Sequence, residues 1–266
     1  MKRFAALVLV LMMVLSASAM AEGTLRVGME CNYAPFNWTQ AEESDTAVPL
    51  SGGGYADGYD VQIAKLIAEG LGMELEIVKT EWDGLPMGVM SGKLDAVIAG
   101  MSPTEERKVS LDFTDNYYES QLVIVVRADS AYAEAKTLDD FAGAKLTGQL
   151  NTFHYAVLSQ ADKATVVTAM ETFPAMIVAL KAGSIDGYVS ELPGAVSAVA
   201  SNPELTYVQF AEGEGFETST DDTAIAVAVA KGSPLRDQIN EILATISEEK
   251  REELMQWAVD NQPLSE

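Results

Sequence analysis

The segment DAVIAGMSPTEER, residues 95–107, joins an apolar run to the start of a helix. The apolar run, residues 94–99, predicts a buried strand. Ser102, Pro103 and Glu105 have the spacing of a capping box with proline at the first helical position, so Ser102 is the expected N-cap. Backbone N–H groups at the start of a helix favour anions. This segment therefore predicts a strand that leads into an anion site.

Arg107 lies within the first turn and a half of the predicted helix. Its guanidinium could bind a carboxylate through two hydrogen bonds while the backbone N–H groups complete the site. The alternative is an ordinary surface ion pair between Arg107 and Glu105, Glu106 or Asp112. Both interpretations agree with the local pattern.

The N-terminus has the pattern of a secretory signal peptide. Lys2 and Arg3 precede an apolar run at residues 4–15, and residues 16–21 end in an Ala-x-Ala-like site, SASAMA. We expect cleavage after Ala21. The run is too short to span a bilayer stably. No cysteine follows it at the cleavage site, so we expect no lipid anchor there. A soluble mature protein in the periplasm, or more generally outside the cytoplasm, is predicted.

Charge and residue counts exclude several classes of function. The net charge of −23 disfavours nucleic acid and anionic membranes as partners. Cys31 is the single cysteine, which excludes an internal disulfide and a cysteine-built metal site. His154 is the single histidine, which argues against zinc hydrolases and most Ser/Cys-His mechanisms. We expect His154 to be a hydrogen-bonded surface or hinge residue, and we expect no cofactor or metal.

Hydrophobic periodicity predicts two α/β units. Residues 24–99 have the order β-α-β-α-β, which is typical of a parallel sheet with right-handed crossovers. The first helix begins near Asp60 and the second near Trp82, with Asp83 as a candidate cap, while residues 39–58 resemble an exposed loop or hairpin. Residues 145–191 form the second unit. Residues 90–97 and 180–187 are alike. In each segment a predicted helix ends at a glycine, and a strand then begins with an apolar residue followed by Asp.

Several motifs together resemble one family. GYDV at 58–61, WDGL at 82–85, SGKLD at 91–95, GMSPTEER at 100–107 and FTDNYY at 113–118 resemble the polar amino-acid-binding proteins, the family 3 periplasmic solute receptors of ABC importers. The resemblance covers residues 24 to about 260.

The resemblance implies an α/β fold, the two-lobed periplasmic-binding-protein fold of type II. Two hinge-crossing strands join the lobes, and the ligand cleft lies between them. After the signal peptide, 1–21, lobe 1 would comprise residues 22–118 and 226–266, and lobe 2 residues 119–225. The crossings would fall near 118–120 and 224–227.

The resemblance also implies a site for a zwitterion. Arg107 would bind the ligand α-carboxylate, helped by Ser102 and by the N–H of Thr152 from the other lobe. The Gly100 carbonyl and the Glu191 carboxylate would hold the α-ammonium. The family usually has Asp at this last position, so Glu191 is a departure.

Three further residues would face the ligand side chain, namely Glu30, Tyr33 and Trp82. The first matches a position that is usually Asp. Packing within a small core is the alternative for the two aromatic residues. Asn151 and Phe153 depart from the family, which commonly has Gly and a small residue there.

These features predict a non-enzymatic receptor that delivers an amino acid to the transmembrane subunits of an ABC permease. A carboxylate with aromatic walls suits a cationic ligand, such as lysine, arginine, ornithine or histidine, with glutamine as the alternative. We expect a monomer. The rival interpretation is an enzyme similar to the periplasmic cyclohexadienyl dehydratases, with Glu191 or Glu30 as general acid. A third is a sensor module that signals instead of transporting.

Overall fold

A computed structural model describes residues 23–263, so the predicted signal peptide at 1–21 lies outside the described residues. The strands, in chain order, are β1 (Thr24–Met29), β2 (Asn32–Tyr33), β3 (Asn37–Gln40), β4 (Val48–Pro49), β5 (Tyr55–Asp57), β6 (Glu74–Lys79), β7 (Ala96–Val97), β8 (Leu111–Glu119), β9 (Leu122–Arg127), β10 (Lys145–Thr147), β11 (Thr165–Val166), β12 (Gly187–Glu191), β13 (Leu205–Val208) and β14 (Ala224–Ala230).

The α-helices are α1 (Tyr59–Leu71), α2 (Leu85–Met90), α3 (Glu105–Lys108), α4 (Phe153–Ala156), α5 (Phe173–Lys181), α6 (Leu192–Ser201), α7 (Thr220–Thr223), α8 (Leu235–Leu243) and α9 (Glu248–Asn261). Short 3₁₀ turns cover Trp82–Gly84, Leu138–Phe141 and Val157–Gln160. No helix within residues 23–263 has the length and apolar character needed to cross a membrane.

The first sheet combines both ends of the described chain, in the order β6-β1-β7-β14-β8. β1 pairs in parallel with β6 and β7, which confirms the predicted β-α-β-α-β unit. β14 runs antiparallel to β7 and β8. The apolar strand near the C-terminus therefore completes the sheet that the N-terminal residues begin.

The second sheet has the order β11-β10-β12-β9-β13. β10 pairs in parallel with β11 and β12, and β9 lies antiparallel between β12 and β13. The two similar segments occupy equivalent places in the two sheets. Gly92 and Gly183 both have φ 72°, the left-handed conformation that ends a helix, and each precedes a strand.

Two chain segments connect the sheets side by side. β8 belongs to the first sheet, whereas β9, three residues further on, belongs to the second. The Ser120 N–H donates to the Thr223 carbonyl at 3.0 Å, immediately before β14 returns the chain to the first sheet. These segments match the predicted crossings. The boundaries of the lobes, 22–118 with 226–266 and 119–225, remain a prediction.

The region from 39 to 58 contains the hairpin that was one of the two predicted alternatives, but it is not wholly exposed. β2, β3, β5 and β4 form a small antiparallel sheet, and its residues Asn37, Trp38, Ala56 and Asp57 are buried. Glycine clusters and acidic residues indicated an exposed segment, but β3 and β5 contact helix α1, and Ala56 and Asp57 are buried there. Only part of the segment is exposed.

Two predicted helix caps are wrong. The helix of the opening segment begins at Glu105, and Thr104 is its N-cap, with Oγ1 accepting from the Arg107 N–H at 3.5 Å. Ser102 lies two residues before this cap, in the irregular segment that leads to the helix, and its carbonyl accepts from Arg107 Nη1 at 2.9 Å. Likewise, Asp83 caps nothing; it lies inside a 3₁₀ turn that leads into α2.

Candidate functional site

A small cavity lies where loops of the two sheets meet. Its volume is about 10 Å³, enough for roughly one water molecule, so this conformation is closed. The residues that line it are Tyr33, Trp82, Ala99, Gly100, Ser102, Arg107, Gln149, Thr152, Phe153, His154 and Asp222. Six of the eight predicted site residues are among them. The other two, Glu30 and Glu191, are buried behind this lining.

Arg107 is held as a cation without a carboxylate partner. Its Nη1 donates to the Ser102 carbonyl at 2.9 Å, and its guanidinium carbon lies 5.1 Å from the centre of the Trp82 ring. Within residues 23–263 it forms no ion pair, so the alternative of a surface pair is wrong. Removal of water lowers the pKa of Arg107 to about 10, which still leaves it charged at neutral pH. A carboxylate placed here would supply the missing partner.

The helix contributes less to this anion site than the sequence predicted. α3 contains four residues, a single turn, and one of its free N–H groups is already bonded to Thr104. A macrodipole needs several aligned peptide units, so the positive end of α3 is weak. The anion site is therefore essentially the Arg107 side chain, positioned by the short helix and by the extended residues before it.

Glu191 is the second ionisable group of the site. It is the last residue of β12 and is 3 % exposed. The Tyr33 hydroxyl donates to its Oε2, and His154 Nε2 lies 2.8 Å from its Oε1. Burial raises the pKa of Glu191 to about 8. Burial, together with the positive charge of Arg107, lowers the pKa of His154, so the imidazole is predominantly neutral.

Glu30 is a second buried carboxyl group. Gln149 Nε2, from the loop after β10, donates to its Oε2 at 3.0 Å, and Oε1 has no partner among the described residues. Burial raises the pKa of Glu30 to about 7. A carboxyl group with one unpaired oxygen is costly to bury, and such groups are concentrated at functional sites.

Asn151 connects the two sides of the cleft at its edge. Its carbonyl accepts from Trp82 Nε1 at 3.2 Å, and its Nδ2 donates to Asp83 Oδ1 at 2.9 Å. Its φ of 56° is left-handed, a conformation that Asn tolerates better than most residues. This left-handed φ explains why Asn151 can occupy a position where the family that the chain resembles commonly has Gly.

The aromatic residues of the site form its wall. The rings of Tyr33 and Phe173 stack at 4.0 Å between centroids. Gly100 lies beneath them with φ 61°, and a Cβ there would approach Tyr33 to 3.3 Å. The Gly100 N–H donates to the Tyr117 hydroxyl at 3.3 Å, which in turn donates to buried Asp60 at 2.7 Å. This chain of hydrogen bonds fixes the backbone turn at the cavity floor.

A larger cavity, about 590 Å³, lies beyond the Tyr33–Phe173 wall. Its lining is mainly apolar and includes Ile177, Val178 and Ala198. The ammonium group of Lys181, at its edge, is paired with Glu204 at 2.9 Å. This cavity lacks the opposed charges that a zwitterion requires, whereas the small cleft has them.

Sequence reasoning missed several residues of the site, among them Asp222, which lines the cavity. His154 is buried beside Glu191 and is not the predicted surface or hinge residue. Gln149 and Phe173 also contribute, through Glu30 and Tyr33 respectively. The position of Gln149 just after a parallel strand was a usable signal, since open α/β sheets bind ligands at the carboxyl ends of their strands.

Comparisons with known proteins agree with this geometry. Residues 25–257 match the family described as bacterial extracellular solute-binding proteins, family 3. A probable histidine-binding protein of Campylobacter jejuni is 32% identical over 200 residues, covering 74% of this chain and 72% of that protein. The arginine-binding extracellular protein ArtP of Bacillus subtilis is 27% identical, over 86% of this chain and 82% of its own.

A solved structure has the same architecture. An amino acid ABC transporter substrate-binding protein of Streptococcus pneumoniae, bound to L-arginine, superposes with a TM-score of 0.77 at 27% identity. The match covers 89% of this chain and 94% of that one.

Two α/β units that meet at a cleft lined by Arg107 and backed by Glu191 have the architecture of a two-lobed solute-binding protein. The relatives are likewise binding proteins. The chain belongs to the family 3 bacterial extracellular solute-binding proteins.

Proposed function

We propose that this protein is the extracytoplasmic receptor of an ABC importer and closes on a polar L-amino acid. The observation that carries the proposal is the cleft itself. The Arg107 guanidinium, which forms no ion pair among residues 23–263, lines one small cavity, and the carboxyl group of Glu191 lies behind the lining, in contact with Tyr33 and His154. A zwitterion satisfies both groups at once, because its carboxylate pairs with the first and its ammonium with the second.

The proposed lobes, 22–118 with 226–266 and 119–225, explain how binding would drive closure. Arg107, Ser102, Gly100, Trp82 and Tyr33 belong to the first lobe, while Thr152 and Glu191 belong to the second. A ligand that contacts both lobes binds the closed form more tightly and shifts the population toward it. The closed form would then be the one that docks on the permease subunits, with the receptor acting as a monomer.

A cationic side chain is the proposed ligand class, with glutamine as the alternative. The ligand carboxylate would neutralise Arg107, which leaves Glu30 and Asp222 as negative groups in or behind the cleft. A second positive charge on the ligand would compensate the buried Glu30, and Trp82 offers an aromatic face to it. The relatives named for histidine and arginine fit this class.

Calorimetric titration of the mature protein tests the proposal. The protein is first unfolded and refolded to remove any bound ligand, then titrated with L-arginine, L-lysine, L-ornithine, L-histidine and L-glutamine. Arg107→Ala should abolish binding of all five, because the carboxylate is common to them. The control Arg236→Ala removes a guanidinium that, within residues 23–263, forms its ion pair with the neighbouring Asp237, and this variant should bind normally. Undiminished binding by Arg107→Ala would remove that residue from the site.

A further inference from the structure

Both carboxyl oxygens of Glu191 are already in use before any ligand ammonium group arrives. Both of its oxygens already have partners in the closed form, Tyr33 on Oε2 and His154 on Oε1. All three side chains are buried, with exposures of 3 % for Glu191, 7 % for His154 and 5 % for Tyr33. An incoming ammonium group therefore meets a carboxyl group that is already engaged inside the protein.

The proton content of this trio depends on whether a cation is present. Glu191 forms no ion pair with lysine or arginine in the described part of the chain, and His154 is its one basic neighbour. An isolated carboxylate in such surroundings is unfavourable, so the trio retains a proton. An α-ammonium supplies the positive charge instead, and the retained proton is then free to leave for solvent.

We propose that His154 is a positioning residue for the ligand ammonium, and that amino-acid binding releases one proton from the His154–Glu191 pair. No covalent bond is made or broken in this step. After release, neutral His154 donates its Nε2–H to the Glu191 carboxylate, which accepts from the ammonium as well. The inference rests on the proposed function, because it requires a ligand with an α-ammonium group.

Two further observations support it. His154 Nδ1 has no partner among the described residues, so the contact with Glu191 is the polar contact that fixes the imidazole. The pKa of Glu191 is raised by burial to about 8, so the pair holds the extra proton at neutral pH.

The other ionisable groups around the pair are few. They are Tyr33 on β2, Glu30 behind Gln149, Arg107 on α3, Tyr188 on the same strand as Glu191, and Asp222 on α7. Arg107 is the cation of this set, and its charge disfavours protonation of His154. On the neighbouring strand β9, the residue opposite Glu191 is the apolar Leu122. Burial raises the pKa of Glu30 to about 7 and that of Asp60, which lies behind Tyr117, to about 6. Glu30 is nearer to neutrality, so the test must separate it from Glu191.

Calorimetry in buffers of different ionisation enthalpy counts the protons. The probes are L-arginine and L-glutamine, titrated at neutral pH in phosphate and in Tris. We expect close to one proton released per L-glutamine, and more than one per L-arginine, because the cationic side chain of arginine would also displace the proton that Glu30 partly retains at neutral pH. The dissociation constant should rise about tenfold for each pH unit below the Glu191 pKa. Release well below half a proton for a ligand that binds would overturn the inference, whereas failure of both amino acids to bind would instead contradict the proposed function.

Variants assign the proton to the pair. Glu191→Gln should abolish the release, while Glu30→Gln should keep it with L-glutamine, and the exposed control Glu212→Gln should match the parent protein. The opposite pattern, with release lost in Glu30→Gln and kept in Glu191→Gln, would refute the assignment.

Two substitutions of His154 separate positioning from mere packing. His154→Phe removes the donor, so the pH at which affinity levels off should move up by about one unit or more. His154→Gln retains an amide donor and should restore the original pH profile. A purely structural role predicts instead an equal loss of affinity at every pH, and that result would refute the positioning role.

Discussion

Replacement of Glu30 by glutamine should stabilise the ligand-free protein at high pH and leave its stability unchanged at low pH. Glu30 is 4 % exposed, and one of its oxygens has no partner among the described residues. Glutamine has almost the same shape as the protonated acid and can keep the contact with Gln149. The substitution therefore removes the charge while it preserves the packing.

The magnitude follows from the pKa of Glu30, which is about 7 in the folded protein against an ordinary value of 4.5. Because the folded state holds the proton more tightly, stability is lost as pH rises from the lower value through the higher one. Each pKa unit is worth about 1.4 kcal/mol, so the ionised side chain costs the folded state about 3 kcal/mol above pH 8. Below pH 4.5 both states are protonated and the cost disappears.

Thermal unfolding followed by circular dichroism at pH 4 and pH 8 measures the effect. For a chain of this size about 3 kcal/mol corresponds to roughly 6–12 °C in Tm. At pH 8 the Tm of Glu30→Gln should therefore be higher than that of the parent protein by this amount. At pH 4 the two proteins should have the same Tm. Glu76→Gln on β6 makes the same charge change at an exposed position and is the control. An equal shift at both pH values, or no gain at pH 8, would show that Glu30 is not held in a costly ionised state.

Three other substitutions test the frame around the cleft. Gly58→Ala places a Cβ 2.5 Å from the Phe36 carbonyl oxygen, at a φ of 123°, and should lower the free energy of unfolding in urea by about 2 kcal/mol or more. In the control Gly52→Ala the new Cβ meets nothing within 4 Å, and the loss should be well under 1 kcal/mol. Tyr117→Phe removes the hydroxyl that donates to Asp60, so it should lower the free energy of unfolding by about 1–3 kcal/mol. Loss of this donor should also raise the pKa of Asp60 above its present value of about 6, and stability should then fall more steeply as the pH rises. An unchanged pH profile would contradict this. Trp82→Phe loses the indole N–H that donates to the Asn151 carbonyl, so it should weaken ligand binding several-fold. We expect ligand binding to change the tryptophan fluorescence of the natural chain, and this variant should lose most of that change; an unaltered change would assign it to Trp38 or Trp257.

Much of the frame was predictable because it depends on local patterns. Alternating apolar residues located β1 and β6. Helix ends at glycine located α1 and also α5, the helix that precedes Gly183 in the second unit. The start of α3 was not predictable, because Ser102 and Thr104 are both good caps and lie two residues apart. Only the course of the chain around Arg107, whose guanidinium bonds the Ser102 carbonyl, decides between them.

The site was predictable in its charged groups but not in their partners. Arg107 and Glu191 came from resemblance and chemistry, whereas His154 lies on a four-residue helix that is too short for periodicity to indicate its buried face. The bond from Gln149 to Glu30 joins residues 119 positions apart. Contacts of this kind depend on how the two sheets meet, which no local pattern encodes.

The position of Cys31 has a practical consequence for measuring closure. Its side chain is 1 % exposed, and burial raises the pKa of the thiol to about 12, so very little reactive thiolate exists at neutral pH. Toward maleimide reagents the natural chain should therefore behave as though it had no cysteine. A single cysteine engineered on the surface of either lobe could be labelled selectively, and a pair of them would report the distance between lobes by fluorescence transfer without any change at residue 31.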